Sequence, residues 1–465
     1  MTFVSTRSSR SSRSFAALVF ALTGVATAHV ACSTPPVAPT SHPVASASAP
    51  EVASSAPVAE EPPKVDPPKV AEPEKPKPPF NVLLITIDSM RADMPWAGYS
   101  REIAPRLTAL QKKAITYTNA YSISSFTSKS VGGLLGGRYP SELKRTGSFF
   151  TRYLDENETF PEMLTKQGVY TMGGHAHAFF GKGESGFEQG FADWRIVPGI
   201  TFDYNKDPYV TSQKMTPMAI DMLSNDKVKN GRFFAWFHYM DPHDEYKSHS
   251  ESPGWGQGGK AGPRALYDEE IFYTDLWIGK LLDWVETQKW ASNTVIIVSA
   301  DHGEAFGEHK LVRHAFELYE MLVHVPMFMV VPGQAARTID APRSHIDLVP
   351  TMMELMGTKP GPELSGKSFM GELFGGDAAP RDIVCDLPED SHNERRRSFR
   401  HGDWKIIAFA NDFRYELYNL KDDPGEKNNL IKKDPDKAKE MISLYKEASK
   451  NITEVAVPGG IKKHK

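Results

Sequence analysis

NVLLITIDSMRAD, residues 81–93, and TVIIVSADHGEAFGEH, residues 294–309, share one construction, an apolar run rich in Val, Leu and Ile that ends in acid. Continuous aliphatic residues suit a strand buried on both faces, and the polar group falls where such a strand leaves a parallel sheet. Ligands bind at the carboxyl ends of such strands. Asp88 of the first run and Asp301 with His302 of the second are therefore expected to meet in space, although they lie far apart in sequence. Two carboxylates and an imidazole at one sheet edge repel one another or stay poorly solvated unless a cation joins them. A metal site removes both penalties.

Further strand-like runs at 168–173, 232–239 and 325–331 alternate with helical patterns at 103–114 and 268–288. The alternation predicts an α/β fold with a large, mostly parallel sheet covered by helices on both faces. HIDLVPTMMELMG at 345–357 reads as a further helix, with Gly357 as its left-handed stop. Beyond about Asp382 the texture changes to RRRSFRHGDWKIIAFANDFRYELYNLKDDPGEKNNL, which alternates like short antiparallel strands and ends in an Asp-Pro-Gly turn. The expected organisation is a catalytic domain over 80–381, a small antiparallel C-terminal subdomain over 382–432, and a tail over 433–465 that carries one Lys-rich amphipathic helix.

The chain has 465 residues, 40% hydrophobic and 24% charged, with a formal net charge of -4. It can build a large core, and no basic stripe with interleaved aromatics marks it for nucleic acid. Arg7, Arg10 and Arg13 precede FAALVFALTGVATA at 15–28, which is too short for a membrane span and suits a secretory signal over 1–32. Two processing routes compete: cleavage after Ala26-Thr27-Ala28, or lipid attachment at Cys32. Residues 33–79 are rich in Pro and Ala and cannot bury enough surface to fold, so they read as a disordered tether. Export to the periplasm or cell envelope follows, with Cys32 as an optional lipid anchor to a membrane. Cys385 is the one other cysteine. It excludes a disulfide framework within the mature domain and reads as a small core residue.

Between the two acid-ended runs lies YSISSFTSKSVGGLLGGRYP, 121–140. A hydroxyl-dense loop enters a helix containing Gly132, Gly133, Gly136 and Gly137, so unpaired N–H groups and the positive end of the helix dipole face the loop. Such a place suits an anion. A hydroxyl held there beside a cation loses its proton more readily and can attack phosphorus or sulfur.

These landmarks, followed in order by WFHYMDPHDEY, LYEMLVHVPMFM, HIDLVPTMMELMG and ELYNLKDDPGEKNNL, resemble the sulfatase family of the alkaline phosphatase superfamily over about residues 80–432. The resemblance implies an alkaline-phosphatase-like sandwich. It also implies ligation of one divalent metal ion (Mn, Zn, Ca or Mg) by Asp88, Asp301 and His302, with the nucleophile as a further ligand. Counted back from Arg138-Tyr139-Pro140, the family's Cys/Ser-x-Pro-Ser-Arg motif places the nucleophile at Thr127. Lys129 then stands at the motif's Pro, Ser130 matches, and Val131 stands at its Arg. Sulfatases oxidise Cys or Ser at the first position to formylglycine, an aldehyde, whereas a threonine could give only a ketone. Related phosphodiesterases, phosphonate hydrolases and phosphoglycerol or phosphoethanolamine transferases are similar in using an unmodified threonine.

By the same resemblance His243 and His314 contact the anionic substrate or protonate its leaving group. GGHAHAF at 173–179 resembles a family segment that aligns His175 and His177 with substrate-binding positions. Lys129, Lys182 and Lys310 are candidate partners for the oxyanion, and Arg91 is expected to brace the metal acids. His309 is either a ligand or a helix-end residue. A second metal would need a histidine four residues after Asp241, where Glu245 stands.

The expected activity is metal-dependent hydrolysis of an anionic ester of a small molecule, lipid headgroup or glycan. Phosphoesters, phosphodiesters or phosphonates are favoured over sulfates. A sulfatase working without formylglycine, a phosphoethanolamine or phosphoglycerol transferase and a non-catalytic anion-binding envelope protein remain as alternatives.

Overall fold

The computed structural model describes residues 77–203, 208–243, 245–256 and 262–462. The expected leader, Cys32 and nearly all of the 33–79 tether lie outside the described residues. The strands in chain order are β1 (Asn81–Ile87), β2 (Ile115–Tyr121), β3 (Tyr170–His175), β4 (Asp193–Ile196), β5 (Phe233–Tyr239), β6 (Thr294–Ala300), β7 (Ala305–Phe306) and β8 (Val312–Arg313). They continue with β9 (His324–Val330), β10 (Arg337–Ile339), β11 (Arg343–Ser344), β12 (Ile383–Leu387), β13 (Arg396–His401), β14 (Trp404–Phe409) and β15 (Arg414–Asn419).

Among the described residues the main sheet has nine strands in the order β10-β2-β9-β6-β1-β5-β3-β4, with β11 also on β2. It is mostly parallel, and β9 alone runs against both of its neighbours. β1 sits centrally, with every residue buried, which explains its unbroken aliphatic composition. Its register positions the site: Ile87 lies opposite Tyr239 of β5 and Ala300 of β6. The three strands therefore end level, and Asp88 and Asp301 emerge side by side.

β2 carries no clean apolar signal. Thr118 and Asn119 sit at an irregularity in its pairing with β9, between the short partners β10 and β11 on its other side. Both side chains bond Asp340 there, so the polar residues serve a junction that periodicity does not encode. β3 begins two residues later than expected because Gly168, at φ 78, first closes the turn after the helix Phe160–Lys166. The helix over 268–288 starts earlier, at Pro263. Gly357, at φ 66, follows the helix Leu348–Leu355 as expected.

Strands β12 to β15 form a separate antiparallel sheet. The helix Pro435–Lys450, expected within a tail, packs Ala438, Met441 and Tyr445 onto Phe399, Ile406 and Leu417 of this sheet. Cys385 is buried in β12, where burial pushes its thiol up to about 12. Asp386 ties the layer to the main body: it accepts from Ser141 N and Oγ at 2.8 and 2.9 Å and pairs with Arg397 at 2.8 Å.

Candidate active site and metal centre

Asp88, Asp301 and His302 converge at the carboxyl ends of β1 and β6, and one ligand atom from each lies within 4.8 Å of the others. All three side chains are buried. Ser89 clips the two acids together. Its backbone N–H donates to Asp301 Oδ1 at 3.2 Å, and its hydroxyl donates to Asp88 Oδ1 at 2.8 Å. The residue holds a left-handed φ of 57 to do so, a strain of the kind that collects at functional sites.

Burial by itself raises the Asp88 carboxyl, but the hydrogen bond from His238 and the neighbouring imidazoles outweigh it and hold the group well below the usual range. Asp301 goes the other way, raised well above its ordinary value by burial and by the Asp88 charge. Burial drops His302 to about 3, so its ring is neutral. His302 Nδ1 lies 2.9 Å from the Gly303 carbonyl, which only accepts, so Nδ1 carries the proton and Nε2 keeps its lone pair. That lone pair faces Thr127 Oγ1 at 3.0 Å and Asp301 Oδ2 at 3.3 Å.

The donor set fits a divalent cation. It offers two carboxylates and one imidazole with its lone pair aimed inward, and Asp301 Oδ2 is buried without any hydrogen-bond donor. Thr127 completes the cluster, with its hydroxyl 3.2 Å from Asp88 Oδ2. It opens the helix Thr127–Gly136, whose residues from Ser128 onward are all buried. Ser130 Oγ donates to the Asp301 carbonyl at 2.6 Å and fastens this helix to the end of β6.

A cavity of about 260 Å³ opens beside Thr127. His177, His243 and His314 line it together, with ring centroids 6.3 Å apart for the first pair and 5.2 Å for the second. His314 also stands 4.2 Å from the His302 ring. Glu304 orients His314 through Nδ1 at 3.3 Å and receives the Tyr246 hydroxyl at 2.7 Å. Burial raises Glu304, yet His314 and Tyr246 bring it below its ordinary value, so it is charged. His177 accepts from the Phe179 N–H at 3.0 Å, and burial together with His243 lowers it to about 3.

Other expected site residues stand elsewhere. Lys129 is a correction: its buried ammonium pairs with Asp390 at 2.8 Å and donates to the Phe149 carbonyl at 2.6 Å, outside the cavity lining. Burial lowers it to about 8, against the pull of Asp390. His175 is a second correction, enclosed between Phe180, Trp194 and Trp236 in the core, and burial drives it well below its ordinary value. Lys310 and Lys182 are exposed and do not line the cavity. Arg91 pairs with Asp93 and Glu308, each at 3.0 Å, and braces the Glu304 carbonyl, not the two acids. His309 stacks on Tyr319 at 3.8 Å, away from the cluster. Asp241 accepts from Thr211 N at 2.6 Å and Ser212 N at 2.9 Å, at the start of the helix Ser212–Leu223.

Sequence reasoning passed over His238, Ser89 and Glu304. His238 Nε2 lies 3.3 Å from Asp88 Oδ2, and its Nδ1 lies 2.7 Å from the Thr86 hydroxyl, which itself accepts from Trp236 Nε1 at 2.8 Å. With Nδ1 accepting from Thr86, Nε2 carries the proton toward the carboxylate. The signal was present as one imidazole in the otherwise apolar and aromatic strand FFAWFHY.

The comparisons agree with this architecture. The sulfatase family model matches residues 80–358, and a model described as N-sulphoglucosamine sulphohydrolase, C-terminal, matches residues 307–455. The chain belongs to the sulfatase family, whose members are hydrolases acting on ester bonds. It is 27% identical to an ulvan-active sulfatase of Formosa agariphila over 62% of this chain and 63% of that protein, just under two thirds of the relative's length. It is 22% identical to an N-acetylglucosamine-6-O-sulfatase of Bacteroides thetaiotaomicron over 81% of this chain and 87% of the relative. The same fold is found in a 2-O GAG sulfatase (TM-score 0.67, 18% identity, 84% of this chain and 98% of that one). It is also found in the phosphonate monoester hydrolase of Agrobacterium radiobacter (TM-score 0.63, 17% identity, 80% and 95%).

Proposed function

We propose that this chain is a metal-dependent hydrolase in which unmodified Thr127 attacks an anionic ester, with phosphoesters and phosphonates preferred over sulfates. The observation that carries the reading is the Thr127 hydroxyl, 3.0 Å from His302 and 3.2 Å from Asp88 at a helix N-terminus. A secondary alcohol in that place cannot become the aldehyde of the formylglycine cycle, yet it can act as a nucleophile. Asp88, Asp301 and His302 would hold the divalent cation, which when bound supplies Lewis-acid stabilisation and a lowered hydroxyl pKa.

The chain's own residues divide the remaining work. With its hydroxyl proton given up to solvent beforehand, Thr127 Oγ1 forms a bond to phosphorus as the ester P–O bond breaks, and the departing alkoxide takes a proton from His314 or His243 at the cavity wall. Glu304 holds the His314 ring by Nδ1, leaving Nε2 for that transfer. Ser89 and His238 fix the acid pair, so the cluster need not reorganise as charge develops. Water then attacks phosphorus, the Thr127 adduct breaks, and the histidine recovers its proton.

Turnover of matched phosphate monoesters, phosphate diesters, phosphonate esters and sulfate esters by wild type and Thr127→Ala tests the reading. Phosphorus esters are expected to turn over and to depend on Thr127. Turnover confined to sulfate esters would overturn the substrate class. Sulfate-ester hydrolysis without formylglycine is the second reading, supported by the sulfatase names of the relatives.

A further inference from the structure

The cavity beside Thr127 has a strongly aromatic wall. Phe126, Phe149, Phe150, Phe179, Phe180 and Phe316 all line it. The rings pack on one another: Phe126 stacks on Phe149 at 4.3 Å, Phe150 meets Phe179 at 5.3 Å, and Phe149 stacks on Phe316 at 5.7 Å. The three lining histidines stand among these rings, and Asp203 and Arg313 are the charged side chains of the lining. A phenyl ring offers no hydrogen bond, so the hydroxyls of a sugar would lose water there with few partners in exchange.

The wall is also built to stay in place. The Phe149 N–H donates to Ser391 Oγ at 3.0 Å, and its carbonyl receives the Lys129 ammonium at 2.6 Å, with Asp390 behind. Lys129 Nζ further lies 4.9 Å from the Phe126 ring centre. The buried ion pair therefore has a use: it pins the aromatic wall next to the nucleophile. At the mouth, Val312 is 70% exposed and Phe316 is 46% exposed. They flank a segment in which Arg313 and Ala315 take left-handed φ values of 68 and 84, and the Ala315 N–H is tied to the Ser125 carbonyl at 2.8 Å. Apolar side chains are thus held out at the rim of an apolar cavity.

We infer that the alcohol or phenol released from the ester is a compact, ring-bearing apolar group, seated against Phe149, Phe150 and Phe316. This rests on the hydrolase reading above and names the group that reading leaves open. Size agrees: about 260 Å³ exceeds the ~150 Å³ apolar cavity that takes up benzene by less than a factor of two, enough for one ring with its linker or two small rings.

The test is calorimetric binding to full-length Thr127→Ala, where the ester survives. The probes are 2-phenylethyl and glucose-6-yl esters, each as phosphate and as sulfate. Both alcohols are primary and both heads within a pair are identical, so their ratio reports the alcohol alone. The 2-phenylethyl ester is expected to bind at least ~10-fold tighter in the pair that binds, and adding Phe149→Ala or, at the exposed rim, Phe316→Ala should shrink that ratio severalfold. Equal or tighter binding of the glucose ester overturns the inference, as does the absence of binding by every probe. A dodecyl ester binding ~10-fold tighter than the 2-phenylethyl ester also overturns it, in favour of a lipid chain. Turnover separates the two readings. If wild type hydrolyses both alcohol esters without preference, only the inference fails; if it hydrolyses no phosphorus or sulfur ester, the hydrolase reading fails.

Discussion

Asp88 shows how much work a single carboxylate needs from its neighbours. It sits fully buried, and burial alone pushes its carboxyl up; the hydrogen bond from His238 and the nearby imidazoles bring it well below its ordinary value. The aliphatic run before it and the acid at its end were legible in the sequence, as was the pairing with Asp301 and His302. His238 was not legible, because its role depends on register: it lies opposite Thr86, two residues before Asp88, and only the parallel pairing of β1 with β5 makes them neighbours. His238→Ala should lower metal affinity by about 10–100-fold without unfolding the chain, measured by titration calorimetry with Mn²⁺. Unchanged affinity would mean that the histidine merely fills space. His314→Ala should slow hydrolysis of alkyl esters by about 10²-fold or more and spare 4-nitrophenyl esters, whose leaving group needs no proton. An equal loss for both would remove His314 as the acid. Lys129 and His175 mark the limit of motif counting, since a position in a motif does not say which way a side chain points.

At the scale of elements, the helix Thr127–Gly136 carries Thr127, the residue we propose as nucleophile, and its glycines are explained by what they touch. A Cβ on Gly132 would come within 2.2 Å of the Tyr153 ring, and one on Gly136 within 2.8 Å of Leu143. The glycines therefore let the helix approach its neighbours, and that approach sets where Thr127 points. The sequence announced the glycines and the hydroxyls. It did not announce Tyr153, which lies in a loop with no periodic signal. Gly132→Ala should destabilise the fold by about 1–3 kcal/mol through overpacking, read from urea denaturation. No change in the denaturation midpoint would show that the contact with Tyr153 yields freely. The same logic separates β1 from β2: β1 is buried on both faces and reads directly, whereas β2 hosts the Thr118 and Asn119 junction with Asp340 and gives no clean strand signal.

At the scale of the whole molecule, the antiparallel C-terminal sheet is fastened to the main body through charge. Lys405 of β14 is buried between Glu320 and Glu426, at 2.8 and 2.9 Å. One ammonium cannot neutralise two carboxylates, and burial pushes Glu426 up to about 7. Its folded pKa thus lies above its unfolded value, so between about 4.5 and 7 the folded chain binds more protons and loses stability as pH rises. Glu426→Gln is therefore expected to melt a few degrees above wild type at pH 8, with the gap closing at pH 5 in thermal scans. A gap of the same size at both pH values would contradict the pairing. None of this triad was visible in the sequence, because its members come from three segments and Lys405 alternates with apolar neighbours like any surface residue of a strand. The order of the landmark motifs did carry the overall fold, since all but ELYNLKDDPGEKNNL, which belongs to the separate antiparallel sheet, fall at strand or helix ends along the same edge of the main sheet.

The central claim is that the unprocessed oxygen of Thr127 becomes the covalent carrier of the transferred group. It is tested most directly by acid-quenching a reaction with a phosphorus ester in the steady state and mapping the modified peptide by mass spectrometry. The expected result is a phosphoryl or phosphonyl group on Thr127, absent in Thr127→Ala. Steady turnover with Thr127 unmodified, or with the group on another residue, would contradict the account.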